Sequence, residues 1–260
     1  MVEKIESYTQ KNGNEILKVY MKVSADTPEE LKYFYTDTSN LDLVEKYSWR
    51  VSKGYWVNPV VTRINSHTPN VKTLYFHREY ACKVLGYYPD YIDHINGLEI
   101  DNIDENLNIV TNQQNAFNRP SRGYTYNSDY KYFQAYTKLN YKTLNPYSCV
   151  HSEVEACQLA HLVETDYLRN ILKEDYYIYD FLKDRRNDLD ILDLERTGVI
   201  SEEEATYRHV IRYAKDNAWY YYRYNLEQYF KDNHIPVPDF SLDEQGFMRH
   251  PITNQLLCPF

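Results

Sequence analysis

A short polar segment, DHINGLEIDNIDENLNIVTNQQNAFNR at residues 93–119, contains the side chains best suited to phosphodiester chemistry. Asp93 and His94 are adjacent, so on a strand their side chains would point to opposite faces. One could hold a metal ion while the other faces a water molecule. His94 titrates near neutral pH and could take a proton from that water.

The pattern around the Asp-His pair predicts a β-hairpin. Residues 91–95 and 107–110 predict its two strands, and Asn96-Gly97 is a strong turn dipeptide. Asn106 would lie in the connection between the strands, where it could hold the loop and the imidazole in place.

A helix is predicted directly after the hairpin. Thr111 is a candidate N-cap, because Gln114 three residues later completes a capping box. This helix would return Asn115 towards Asp93, so that a carboxylate and an amide oxygen meet. Such an oxygen-only half-site, with positions left for waters and phosphate, suits Mg²⁺.

The segment has two other interpretations. Its Asp and Asn side chains could serve only as caps of turns. A calcium loop of the EF-hand type is disfavoured, because Gly97 falls at the fifth position of the loop and no proper ligand series follows.

The spaced motif resembles the HNH, or ββα-metal, endonucleases, and most closely the branch found in phage and intron homing endonucleases. The match runs through Asp-His-Ile-Asn-Gly, Asp-Asn, Glu-Asn-Leu, Val-Thr, Gln-Asn and Asn-Arg, and it covers roughly residues 47–119. The resemblance implies that Asp93 and Asn115 bind one Mg²⁺ or Mn²⁺. It also implies that His94 is the general base, that Asn106 orients the base and the loop, and that the substrate is double-stranded DNA.

The chain departs from that branch in its catalytic loop. Ile103-Asp104 and Asn108 stand where the branch usually has arginines, which implies fewer phosphate contacts. The alternative hypothesis is therefore a catalytically weak or inactive HNH-derived protein. Such a protein would bind or inhibit a partner, for instance against host defence.

Residues 123–165 resemble an AP2-type DNA-binding domain, which is often attached behind this nuclease type. GYTY, YFQAYTKL and TLNPYSCV predict three strands, and Ser152 predicts the start of a helix. The resemblance implies that the sheet could lie in a major groove. Across both resemblances the candidate DNA-contacting residues are Arg78, Arg119, Arg122, Lys131, Lys138 and Lys142.

The distribution of charge indicates that a polyanion would bind the middle of the chain in preference to the C-terminal part. Net charge is −9, but residues 124–149 have three basic and one acidic side chain. Residues 150–260 have twelve basic and twenty-one acidic side chains. The acidic C-terminal part is most simply a solvated helical surface, and a protein partner for it is the alternative.

The fold class expected is α+β, in four segments: an α/β segment at 1–46, the ββα-metal nuclease domain at 47–122, the AP2-like module at 123–172 and an acidic helical region at 173–260. Within 1–46, EILKVYMKV predicts a strand and TPEELKYFYTD a helix. No apolar run long enough for a membrane helix and no apolar stretch typical of a signal peptide are present. With no CxxC pair among four cysteines, reduced thiols in a cytoplasmic compartment are expected. The resemblance to the homing-endonuclease branch implies a protein that is encoded by a phage and acts in its host cell.

Overall fold

A computed structural model gives a mixed α+β fold. The structure describes residues 2–10, 12–22, 31–51, 57–60, 74–118, 122–139, 142–171, 182–184, 186, 188–216 and 218–235. The described strands are β1 Val2–Thr9, β2 Glu15–Lys22, β3 Leu31–Asp37, β4 Ser48–Val51, β5 Val57–Val60, β6 Ile92–His94, β7 Asp101–Asn102, β8 Leu107–Ile109, β9 Tyr124–Asn127, β10 Tyr132–Leu139 and β11 Lys142–Val150. The described α-helices are α1 Leu41–Lys46, α2 Phe76–Leu85, α3 Asn112–Phe117, α4 Glu153–Ile171, α5 Leu189–Arg196, α6 Glu202–Asp216, α7 Ala218–Arg223 and α8 Leu226–Asp232.

The chain divides into two compact units. Unit 1 comprises residues 1–119 and 184–205, and unit 2 comprises residues 120–183 and 206–260. Helix α5 therefore folds with the N-terminal half of the chain, although more than sixty residues separate it from that half in sequence.

Unit 1 is built on a four-stranded sheet with the order β1-β2-β3-β7. Strands β1, β2 and β3 are antiparallel, whereas the two-residue strand β7 joins β3 in parallel. The hydrophobic core lies against this sheet and includes Phe34, Trp49 and Phe76. The Phe76 ring contacts Phe34 in a tilted arrangement and Trp49 edge to face. Leu192 of α5 is also fully buried in this core.

The helix predicted over TPEELKYFYTD is wrong for its second half, because Leu31–Asp37 is strand β3. Phe34 and Tyr35 are adjacent and both fully buried, as expected for an inner strand with partners on each side. The long-range pairing with β2 outweighs the local helical preference. The sequence also indicates Thr27 as the N-cap and Pro28 as the first residue of that helix, and both lie outside the described residues.

Two helix ends in unit 1 follow signals in the sequence: LYFHREYACKVLGYYP predicts a short helix that ends near Gly86, and Thr111 predicts the start of the next helix. Helix α2 ends at Leu85, and Gly86 closes it with a φ of 78°, a left-handed conformation that glycine adopts without a steric cost. At the start of α3, Thr111 and Gln114 form the predicted capping box, with both reciprocal hydrogen bonds present.

Unit 2 contains the three strands that the sequence predicted, and they form an antiparallel sheet with the order β11-β10-β9. Phe133 and Ala135 of β10 are buried, and so are Ala156 and Ala160 of α4, which packs against β10. Gly123 precedes β9, and a Cβ atom there would lie 2.9 Å from the Ala160 Cβ. The close approach of chain and helix therefore requires glycine at this position.

None of the helices in the described part of the chain combines the length and the apolar character that a membrane span needs.

Candidate active site

The candidate site is built on the hairpin of β6 and β8. Asp93 pairs with Asn108 and His94 with Leu107 in antiparallel register. The pairing continues past the strand end, where the Ile95 amide donates to the Asn106 carbonyl at 2.9 Å. The residues between the two strands form a compact loop that also supplies β7.

Asn106 holds this loop from the inside. Its side-chain oxygen accepts the Asn96 amide N–H at 2.9 Å. Its Nδ2 donates to the Asn96 side-chain oxygen at 3.0 Å and to the Asp101 carbonyl at 2.7 Å. Because Asn106 is buried, these bonds replace those that water would otherwise make.

His94 lies at the end of β6 and is 6% exposed. Its Nε2 lies 3.2 Å from the side-chain oxygen of Asn102. Asn102 therefore contacts the imidazole ring, whereas Asn106 makes its hydrogen bonds to the loop. The His94 ring also meets His77 edge to face, with 5.3 Å between the ring centroids.

Burial sets the protonation state of this histidine. Desolvation lowers the pKa of His94 below its usual value, and the Asn102 hydrogen bond and the charges of Asp101 and Asp93 only partly oppose that shift. The imidazole is therefore neutral at neutral pH, which is the state that can accept a proton. The same cause, burial, lowers the pKa of His77 to about 3.

Helix α3 is attached directly to the strand that carries the Asp-His pair. Asn118, the C-cap of α3, donates to the His94 carbonyl at 2.8 Å and to the Ile95 carbonyl at 3.4 Å. Asn115 lies three residues earlier, on the adjacent turn of the same helix, and positions three apart are neighbours on one face.

Asp93 and Asn115 are both half-buried, so each retains some access to solvent. Carboxylate and amide oxygens are both hard donors, of the kind that Mg²⁺ or Mn²⁺ takes together with water and phosphate. Within the described ranges, no group of three or more His, Cys, Asp or Glu side chains is arranged to hold a metal.

A buried ion pair supports the loop from α5. The Asp101 carboxylate is fully buried and accepts Asn96 Nδ2 at 2.6 Å and Arg196 Nη2 at 3.1 Å. Asp101 thus connects the turn at Asn96, the loop and helix α5. The sequence places Asp101 inside the motif but carries no signal that its partner is Arg196.

The departures from the homing-endonuclease pattern have a structural basis in this loop. Ile103 belongs to the hydrophobic core and is 2% exposed. Asp104 accepts a hydrogen bond from the hydroxyl of Tyr80. Ile103 is thus used for core packing and Asp104 for a hydrogen bond within unit 1.

The candidate DNA-contacting residues are spread over the two units. In unit 1, Arg78 donates to the carbonyls of Pro89 and Asp90, at 3.0 and 3.3 Å. In unit 2, Arg122 and Lys131 are exposed.

The remaining three candidates are described less completely. Lys138 and Lys142 lie on the neighbouring strands β10 and β11. Lys138 pairs with Thr143, and Lys142 pairs with Leu139. Arg119 lies outside the described residues.

Comparison of the chain with protein-family models, with curated proteins and with solved structures found no match in any of the three. Sequence motif and geometry therefore carry the functional argument.

Proposed function

We propose that the protein is a metal-dependent DNA endonuclease of the HNH type that hydrolyses phosphodiester bonds. The observation that carries the proposal is a buried His94 next to Asp93 on a hairpin strand. Helix α3, which contains Asn115, is hydrogen-bonded to that strand. The order of hairpin and helix agrees with the ββα arrangement that the motif implies.

In the proposed reaction, His94 accepts a proton from a water molecule. The water oxygen forms a bond to phosphorus, and the bond between phosphorus and one ester oxygen breaks. That oxygen takes a proton from solvent water, and His94 returns its proton to the solvent. Asn106 and Asn118 hold the loop and the backbone of His94, so the imidazole needs little reorganisation when it takes the proton.

Asp93 and Asn115 are the residues that would hold the Mg²⁺ or Mn²⁺ ion. Bound there, the ion would stabilise the negative charge that develops on the phosphate and the leaving oxygen.

The proposed substrate is double-stranded DNA, and unit 2 supplies a second proposed contact. Its three-stranded sheet with α4 on one face agrees with the AP2-like resemblance. Lys131 is exposed at the turn between β9 and β10, where it can reach a phosphate. We further propose a phage-encoded protein that acts in the cytoplasm of its host.

Plasmid nicking tests the function. Purified protein should convert supercoiled plasmid to nicked or linear forms with Mg²⁺ or Mn²⁺ and not with EDTA. His94→Ala should abolish cutting, and the matched control His151→Ala, which changes an exposed histidine of unit 2, should keep it. Cutting that survives His94→Ala would contradict the assignment of the base.

A second candidate function is binding or inhibition of another macromolecule without catalysis. The observation that favours it is the use of Ile103 and Asp104 for packing and hydrogen bonding where the homing branch has arginines. The acidic C-terminal region is the surface proposed for a protein partner.

The dependence of DNA binding on salt separates the two candidates. A nuclease that neutralises phosphates with lysine and arginine should lose affinity steeply as salt rises. Folded protein that binds no DNA even at low salt, and that cuts none, would favour the binding function.

A further inference from the structure

We infer that Asn102, which lies outside the four residues of the catalytic motif, is a positioning residue that fixes the tautomer and orientation of the His94 imidazole. The catalytic consequence of this inference rests on the proposed nuclease function. The tautomer itself does not, because it is a property of the folded chain.

The orientation of the Asn102 amide follows from its two contacts. Its Nδ2 donates to the Glu99 carbonyl at 3.2 Å. A flipped amide would place two oxygen acceptors against each other at that distance with no hydrogen between them. The side-chain oxygen of Asn102 must therefore face Nε2 of His94.

The protonation of the ring follows from the orientation of the amide. An amide oxygen can only accept, so the His94 nitrogen that faces it must carry the hydrogen. In the neutral imidazole the lone pair then lies on Nδ1. Nδ1 is thus the ring atom that can take a proton from water, and Asn102 determines this from the opposite side of the ring.

The backbone of Asn102 is itself held by the sheet of unit 1. Asn102 is the second residue of β7, pairs with Thr36 of β3 and is fully buried. The parallel strand pair therefore fixes the point from which the amide reaches the imidazole. A shift of β7 would move the hydrogen-bond acceptor away from Nε2.

Long-range ¹H–¹⁵N correlation spectra of the full chain with ¹⁵N-labelled histidine test the inference. The His94 signals are assigned by their loss in His94→Ala. The expected result for the wild-type protein is a neutral ring with hydrogen on Nε2. A ring with hydrogen on Nδ1 would overturn the inference, whether or not the protein cuts DNA.

Three variants separate positioning from general stability. Asn102→Leu keeps the size of the side chain and removes the acceptor, so we expect a mixture of tautomers. Asn102→Asp keeps an oxygen against Nε2 but loses the hydrogen bond to the Glu99 carbonyl, so the hydrogen should stay on Nε2 while the free energy of unfolding falls. Asn118→Leu is the matched control, because Asn118 is equally a buried asparagine that binds His94, but at the backbone carbonyl.

We expect Asn118→Leu to keep the Nε2–H tautomer. A folded Asn102→Leu protein with an unchanged tautomer, or an Asn118→Leu protein with the same mixture, would each overturn the role of Asn102.

Nicking kinetics test the catalytic consequence. Asn102→Leu should lower kcat roughly 10²-fold, which is within the usual contribution of general-base catalysis, and leave KM nearly unchanged. A rise in KM alone would overturn the positioning role. If the wild-type protein cuts no DNA, the proposed function fails, while the spectra still decide whether Asn102 fixes the tautomer.

Discussion

Asn106 is the residue whose hydrogen bonds the loop can least replace. Asn106→Ala would leave the Asn96 amide and the Asp101 carbonyl buried without their side-chain partner. Each such loss costs about 1–3 kcal/mol, so we expect the free energy of unfolding to fall by about 2–6 kcal/mol. Denaturant unfolding measures this change.

The control for Asn106→Ala is Asn112→Ala, at an exposed position of α3. It should change the free energy of unfolding by no more than about 0.5 kcal/mol. Equal effects of the two substitutions would show that the loop does not depend on Asn106.

Two buried histidines of unit 1, His77 and His94, predict how stability responds to acid. His77 is neutral in the folded protein down to a pKa of about 3, whereas an unfolded histidine takes a proton near its ordinary value of 6.5. Between these values the unfolded state binds more protons, so stability is lost as pH falls through this window. The lowered pKa of His94 acts in the same direction.

His77→Phe should therefore flatten the dependence of stability on pH. We expect its free energy of unfolding to fall less steeply than that of the wild-type protein between about pH 6 and pH 4. Urea titrations at several pH values measure the two slopes. A slope equal to that of the wild-type protein would exclude His77 as a source of the acid sensitivity.

At the scale of a single element, the start of α3 depends on its capping box. Thr111 Oγ1 accepts the Gln114 amide at 3.2 Å, and Gln114 Oε1 accepts the Thr111 amide at 2.6 Å. Thr111→Ala removes the first bond and should cost about 1 kcal/mol. Hydrogen exchange of the α3 amides should accelerate accordingly, since helices of this length depend on their caps.

Thr111→Ser is the control for the cap, because its hydroxyl can accept the same hydrogen bond. It should retain the exchange rates of the wild-type helix to within about twofold. If Thr111→Ala exchanged as slowly as Thr111→Ser, the cap would have no role in ordering α3.

At the scale of the whole molecule, unit 1 is completed by α5. Leu192 fills its core, and Arg196 pairs with the buried Asp101 carboxylate. Arg196→Met should leave a buried charge without its partner and cost about 3–5 kcal/mol. The double variant Asp101→Asn/Arg196→Met removes both charges and should recover part of that loss, as measured by thermal and denaturant unfolding.

A surface ion pair gives the comparison for this prediction. Lys231 and Glu227 form an exposed i,i+4 pair, and Lys231→Met should cost only about 0.3–0.5 kcal/mol. If Arg196→Met were as mild as Lys231→Met, α5 would not support the loop through this ion pair.

The sequence alone determined the elements whose signals are local. Asn96-Gly97, the Thr111–Gln114 capping box and Gly86 each define a turn or helix end through chemistry within a few residues, and the structure agrees at all three. The spaced motif also indicated the candidate site residues, because its Asp, His and Asn types limit the chemistry that the site can perform.

Only the tertiary structure decided the features that depend on distant partners. Residues 31–37 have a helical pattern, yet pairing with β2 and β7 makes them an inner strand. Arg196 reaches Asp101 across 95 residues of chain, and a single sequence carries no local trace of such a contact. The packing that buries His94 against Asn102 also sets the protonation of the ring, because desolvation and hydrogen-bond geometry exist only once the chain has folded.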